Sequence, residues 1–219
     1  MSKRIVKPGP MIYPLPPVMV TCGNMKNSNI ITVGWTGIIN TKPPMTYISV
    51  KKSRFSHKII KENMEFVINL TTREITKMTD FCGVKSGADI DKFAKTGLTK
   101  EKAEIVKAPL IKESPVNIEC EVKEIKELPS HDMFIAEIIS VHINEDMITS
   151  SGKYDFGKMN LTAFNHGAYY TLESKPIGTF GFSVMKSKTL KRKKREELKK
   201  EKSLNKKKHN KFVKNKRRK

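Results

Sequence analysis

A β-barrel with peripheral helices is the fold class this sequence predicts, and three observations predict it. Segments rich in β-branched and aromatic residues follow one another in hairpin-like succession. Helix-like stretches are few and short, and they do not alternate with the strands as a doubly wound sheet requires. The expected strands are Ile30–Trp35, Met45–Val50, Glu65–Leu70, Val116–Lys123 and Met133–Ile143, with a short last one at Thr179–Val184. The expected helices are Arg54–Glu62, with Ser53 as N-cap and Asn63 as stop; Arg73–Cys82, capped by Thr71 or Thr72 and ended by Gly83; and Asp89–Thr96, ended by Gly97.

Charge divides the chain. The 219 residues carry 43 Lys and Arg against 22 Asp and Glu, a net of +21. Residues 185–219 alone hold 19 Lys and Arg against 3 Glu, so +16 sits in the tail and only +5 in the body. The division expected is a globular domain at 1–184 and a lysine-rich tail at 185–219, disordered or partly helical, because the tail has too few apolar residues to offset the entropy of ordering. Its composition fits a solvated extension. It also fits a nonspecific contact for a polyanion, whether nucleic acid, acidic partner or anionic membrane.

Several chemistries lose their warrant. Cys22, Cys82 and Cys120 show no CxxC and cannot all pair, which excludes a disulfide scaffold and favours a reducing compartment. Pro8, Pro10, Pro14, Pro16 and Pro17 interrupt any signal-like apolar run, and no stretch approaches the ~20 apolar residues that span a bilayer, so a cytoplasmic protein is expected. The motifs GxGxxG, Walker A, HExxH and GxSxG are absent, and no histidine pair has metal-ligand spacing.

Residues 30–70 are the informative stretch. The strand Met45–Val50 ends there, and Lys51-Lys52-Ser53-Arg54-Phe55-Ser56-His57-Lys58 follows at a helix start. Hydroxyls, lysines and a guanidinium there meet the free N–H groups and positive dipole end of a helix, which together specify a phosphate site. Without an anion, basic residues in a first helical turn oppose the dipole.

The run NIITVGWTGIINTKPPMTYISVKKSRFSHKIIKENMEFVINL resembles the flavin reductase-like, FMN-binding split-barrel family, above all its flavoredoxin branch. The likeness continues through DFCGVKSGADIDKFAKTGLT, APLIKESPVNIECEV, SHDMFIAEIISV and GTFGFSVMK, covering nearly all of 15–186. The resemblance implies FMN held noncovalently in a homodimer, with NADH or NADPH as electron donor. It implies a flavin reductase, or else a flavoredoxin-like carrier reduced by an electron-transfer protein. A protein working through its basic tail is a further alternative.

By the same resemblance, Val33, Gly34, Trp35 and Thr36 lie along the flavin ring. Backbone groups of Ser49, Val50 and Lys51 meet its polar edge, and Lys51 and Lys52 balance its reduced charge or screen the phosphate. Ser53, Arg54 and Ser56 grip the phosphate. Asn69 lines the pocket or ends a strand. Ser86, Asp91 and Lys92 belong to a loop over the cofactor, or to a locally paired helix start. His131 contacts the nicotinamide, and Tyr169 and Tyr170 form an aromatic wall or core. No side-chain acid or base is obligatory for hydride transfer. Ala136 stands where the reductases usually carry glycine, which implies a methyl group in the nicotinamide's way.

Overall fold

The computed structural model describes residues 2–172 and 176–189 together with Arg192 and Arg195. The chain divides into two compact units, Met1–Ser174 and Lys175–Lys219, whereas composition places the division after residue 184.

The first unit is built on one antiparallel sheet of seven strands. In chain order these are β1 (Val18–Gly23), β2 (Ser28–Val33), β3 (Thr36–Thr41), β4 (Pro44–Lys51), β5 (Glu65–Leu70), β8 (Val116–Glu127) and β9 (His131–Ile143). Two short strands, β6 (Lys100–Glu101) and β7 (Leu110–Ile111), pair separately, as do β10 (Thr162–Asn165) and β11 (Ala168–Thr171). The order across the main sheet is β2-β1-β5-β8-β9-β4-β3. Its two edge strands, β2 and β3, are consecutive in the chain and joined only by Gly34 and Trp35. A two-residue link cannot cross a flat sheet of seven strands spaced about 4.8 Å apart, so the sheet must curl until its edges meet. Ser49 N–H donates to Trp35 O at 2.9 Å, carrying the β3–β4 pairing up to that junction. The expected mainly β, split-barrel architecture is what forms.

Strand alternation fills the barrel. Val18, Val20 and Cys22 of β1, Phe66 and Ile68 of β5, and Phe134 and Ala136 of β9 share one buried cluster. The opposite face of β1 and β2 presents Met19 and Ile30 to a second cluster with Cys82 and Phe93. Because both faces of β1 are covered, all six of its residues are buried. This strand, like β3, lies outside the segments the sequence marks.

Three helices pack on the barrel: α1 (Phe55–Asn63), α2 (Thr76–Val84) and α3 (Lys92–Thr96). Ile60 of α1 is fully buried in the barrel cluster. Ser53 does not cap α1; Arg54 takes the N-cap position without a side-chain cap bond, because Lys51–Arg54 closes a turn, with Arg54 N–H donating to Lys51 O at 2.9 Å. Helix α2 starts later than Arg73, since Ile75 N–H and the Thr76 hydroxyl both bond Thr72 O in a preceding turn. It also runs through Gly83, where a Cβ would stand 3.3 Å from Thr32 Cβ, so this glycine serves close helix–sheet approach rather than termination. Gly97 does end α3, in the left-handed conformation (φ 72°), and Asp91 caps its start by accepting from Ala94 N–H at 3.1 Å.

In the second unit, Phe182–Val184 forms a 3-10 turn rather than the expected strand. Gly181 precedes it at φ 77°, and among the described residues no strand pairs with it, so its backbone groups lack the ladder a strand requires. Of the expected tail at 185–219, residues 185–189, Arg192 and Arg195 are described, with residues 187–189 helical; the expectation for the others lies outside the described residues.

Candidate functional site

Two adjoining cavities open beside the junction where the barrel closes. They share Ile31, Lys51 and Arg54. The larger measures about 460 Å³ and is walled by Val33, Gly34 and Trp35 at the end of β2, by Ser49, Val50 and Lys51 of β4, and by His131 of β9. The smaller measures about 320 Å³ and is walled by Ser53, Arg54 and Ser56 on one side, and by Cys82, Lys85, Ser86 and Lys92 on the other. Each lies within the size range of small-molecule sites.

The larger cavity is a slot with aromatic walls. The rings of Trp35 and His131 lie 4.7 Å apart at 39°, and Trp35 remains 41% exposed. Across the slot stand Leu15, Phe164 and Tyr169. They arrive through the β10–β11 hairpin, which is stitched to the body by paired backbone bonds between Leu15 and Phe164 of 2.8 and 2.9 Å. Phe164 packs edge-on against Tyr169 at 5.1 Å. Burial and the neighbouring Asp80 carboxylate push the Tyr169 phenol up to about 12, so it stays protonated. Burial, reinforced by the positive charges of Lys51 and Arg54, holds the His131 imidazole below its ordinary value.

The smaller cavity is cationic. Four of its lining side chains, Lys51, Arg54, Lys85 and Lys92, are basic, and none is acidic. Lys92 is 3% exposed, and its Nζ donates to the carbonyls of Ile30 at 2.7 Å and Cys82 at 2.8 Å. Burial, with Arg54 nearby, lowers its affinity for the proton. The buried Asn29 Nδ2 donates to Ser56 Oγ at 2.7 Å and so fixes that hydroxyl at the cavity wall. No acidic residue stands in the first turn of α1. Cations crowd a positive helix end with no counter-charge among the lining residues, an arrangement that selects an anion.

Of the residues expected from sequence, the structure gathers Val33, Gly34, Trp35, Ser49, Val50, Lys51, Ser53, Arg54, Ser56, Ser86, Lys92, His131 and Tyr169 around these cavities. Five others lie elsewhere. Thr36 bonds Tyr47 O within the β3–β4 pair. Asn69 is a buried cross-link, its side chain bonding Met19 O, Ile111 N–H and Asn117 Nδ2. Asp91 is spent as the α3 cap. Tyr170 faces away from the slot and is exposed. Lys52 turns from the cavities to an ion pair with Asp132 at 3.3 Å. Two further expectations change. The Ser49 N–H is committed to Trp35 O. Ala136 is fully buried in the barrel cluster, because it shares the inward face of β9 with Phe134, so its methyl group does not stand in the slot.

Sequence reasoning misses Leu15, Asn29, Asp80, Lys85 and Phe164. Asn29, Asp80 and Lys85 lie inside runs that carry the resemblance and Leu15 and Phe164 outside any motif, but only the folding of distant elements brings each to a wall. Among the described residues no group of three His, Cys, Asp or Glu side chains could hold a metal ion, and no helix is long and apolar enough to cross a membrane.

Comparison with known proteins follows the same lines. The solved structure of flavoredoxin from Desulfovibrio vulgaris (Miyazaki F) superposes with a TM-score of 0.77 at 29% identity, covering 83% of this chain and all of that one. Flavoredoxin from Methanosarcina acetivorans gives 0.76 at 30% identity, covering 84% of this chain and 100% of that one. An FMN-binding protein from Thermus thermophilus shares the fold at 19% identity, with a TM-score of 0.69 over 82% of this chain and 99% of that one. The model of the flavin reductase like domain matches residues 11–173, the strands and both cavities included, and the chain belongs to that family.

Proposed function

We propose that the chain binds FMN and works as an NAD(P)H-dependent flavin reductase. The observation that carries this reading is the joining of an aromatic slot to a carboxylate-free cationic pocket through Lys51 and Arg54. A flat ring bearing a phosphate on a flexible arm needs both chambers and a passage between them. Arg54, Ser53, Ser56 and Lys92 would hold the phosphate, with charge-assisted hydrogen bonds as the main source of affinity. Val33, Val50 and Trp35 would flank the ring. When bound, the flavin supplies the redox chemistry, accepting hydride from a reduced nicotinamide and passing electrons on. Lys51 would offset the negative charge that reduction brings. His131, neutral and packed on Trp35, would border the place where the nicotinamide enters, and the inward methyl of Ala136 leaves that entrance clear. Ile38 and Ile39, 67% and 48% exposed on the edge strand β3, support a homodimer.

The test is an absorption spectrum of the purified protein followed by anaerobic addition of NADH and NADPH. A yellow protein bleached rapidly by either nucleotide is the expected result. A protein that stays colourless and cannot be loaded with FMN refutes the reading. A second reading, a flavoredoxin-like electron carrier, is favoured by the 29–30% identity to two flavoredoxins. It predicts slow bleaching by nucleotides and fast reduction by a ferredoxin-like donor.

A further inference from the structure

Next to His131, at the start of β9, lies a carboxylate that neither cavity uses. Asp132 is 1% exposed. Its Oδ2 lies 2.8 Å from His57 Nε2 on α1, and its Oδ1 lies 3.3 Å from Lys52 Nζ. The His57 ring in turn packs edge-on against Phe134 at 5.4 Å. Burial alone would push the Asp132 carboxyl up, but the hydrogen bond with His57 and the ion pair with Lys52 outweigh it and hold it below the usual carboxylate range. A buried carboxylate persists only with such partners, and both come from the cation-bearing turn and the helix it leads into.

The register makes this contact consequential. Val50 pairs with Asp132 and Lys51 with His131 where β4 meets β9. Lys51 and Arg54 therefore face the cavities, while Lys52 and His57 are drawn behind the turn to a single carboxylate. We infer that Asp132 is a positioning residue: it fixes the Lys51–Arg54 turn and the start of α1 against β9, and so sets the anion pocket at the correct distance from the Trp35–His131 slot. This role rests on the flavin reading of the site.

Electrostatics gives the test its sign. Removing a negative charge near an anion pocket should by Coulomb's law tighten phosphate binding. Loss of positioning should weaken it. Full-length wild type, Asp132→Asn, His57→Leu and His57→Gln are titrated with FMN and with riboflavin, which lacks the phosphate. The expected result is an FMN affinity about tenfold weaker in Asp132→Asn, with riboflavin affinity unchanged. His57→Leu should reproduce the loss, and His57→Gln, which keeps a donor toward Asp132, should largely restore it. Glu119→Gln serves as the control, since Glu119 is also fully buried but clamps the backbone N–H groups of Glu104, Ile105 and Val106 away from the cavities. It should lower thermal stability and leave the ratio of the two affinities alone. Tighter FMN binding in Asp132→Asn, or an equal loss for both ligands, overturns the role. If Asp132→Asn does not fold, an unchanged affinity ratio in His57→Leu overturns it instead. Failure of wild type to bind either flavin overturns the flavin reading itself.

Discussion

The two chambers of the site are assembled in opposite ways. The anion pocket draws most of its lining from two short stretches, Lys51–Ser56 and Cys82–Lys92, and its character is charge. The slot gathers residues from the N-terminal arm, β2, β4, α2, β9 and the β10–β11 hairpin, and its character is shape. Charge can be concentrated by neighbours in sequence, because a turn and a helix start place adjacent side chains and N–H groups around one point. A slot needs two walls, and those of this one draw on residues scattered from Leu15 to Tyr169. Affinity for phosphate and affinity for the ring should therefore respond to different substitutions.

The largest separation is expected for Arg54→Ala. It should cost FMN about 1.5–3 kcal/mol of binding free energy, the range for a hydrogen bond to a charged group, and cost riboflavin much less. Fluorescence titration with both ligands measures the difference, and equal losses would erase the distinction between the chambers. Trp35→Ala should act on the other chamber, weakening FMN and riboflavin alike by roughly 0.5–1.5 kcal/mol as an aromatic contact is lost. A loss confined to FMN would move Trp35 out of the slot.

Acid gives a third way to sharpen the comparison. Asp132 has a depressed carboxyl in the folded chain, so its contribution to stability is fully present above the unfolded value of about 3.9 and is lost as pH falls through the folded one. Melting temperature followed downward from pH 6 should therefore drop in wild type below about pH 4, and the drop should be shallower in Asp132→Asn. An identical acid limb in the two proteins would remove Asp132 from the set of stabilising carboxylates. The smallest effect is expected from truncation after residue 185. The family match ends at residue 173 and both cavities lie in the first unit, so FMN affinity should not change at moderate salt. A large loss would tie the basic tail to the site.

Much of the anion pocket is legible in the order of the residues alone. Ser53, Arg54 and Ser56 stand together at a helix start, and the absence of an acidic neighbour in that turn already makes an anion the natural complement. The directions of individual side chains are not legible in this way. Lys51 and Lys52 are equivalent in the sequence, yet one faces the cavities and the other is turned back by a buried Asp132 that is eighty residues away. Ser53 looks like a cap because hydroxyls cap helices, but the Lys51–Arg54 turn shifts the helix start by one residue. Asn69 looks like a pocket residue beside a strand end, and proves to be the hydrogen-bonding hub of three elements. Among the strands, β5 is legible to the residue, because its apolar run is bounded by polar neighbours. Strand β1 escapes, since a strand covered on both faces shows no alternation.

Local sequence by itself determined the extended character of β2, β4, β5, β8 and β9, the presence of three short helices, and where positive charge collects, because propensity and charge act between near neighbours. Only the tertiary structure decided that the sheet closes on Gly34 and Trp35, that the β10–β11 hairpin supplies the far wall of the slot, and that Ala136 points inward. Those outcomes depend on strand register and on the burial of one face against another. Both are set by the lowest free energy of the whole packed barrel, which no window of neighbouring residues contains.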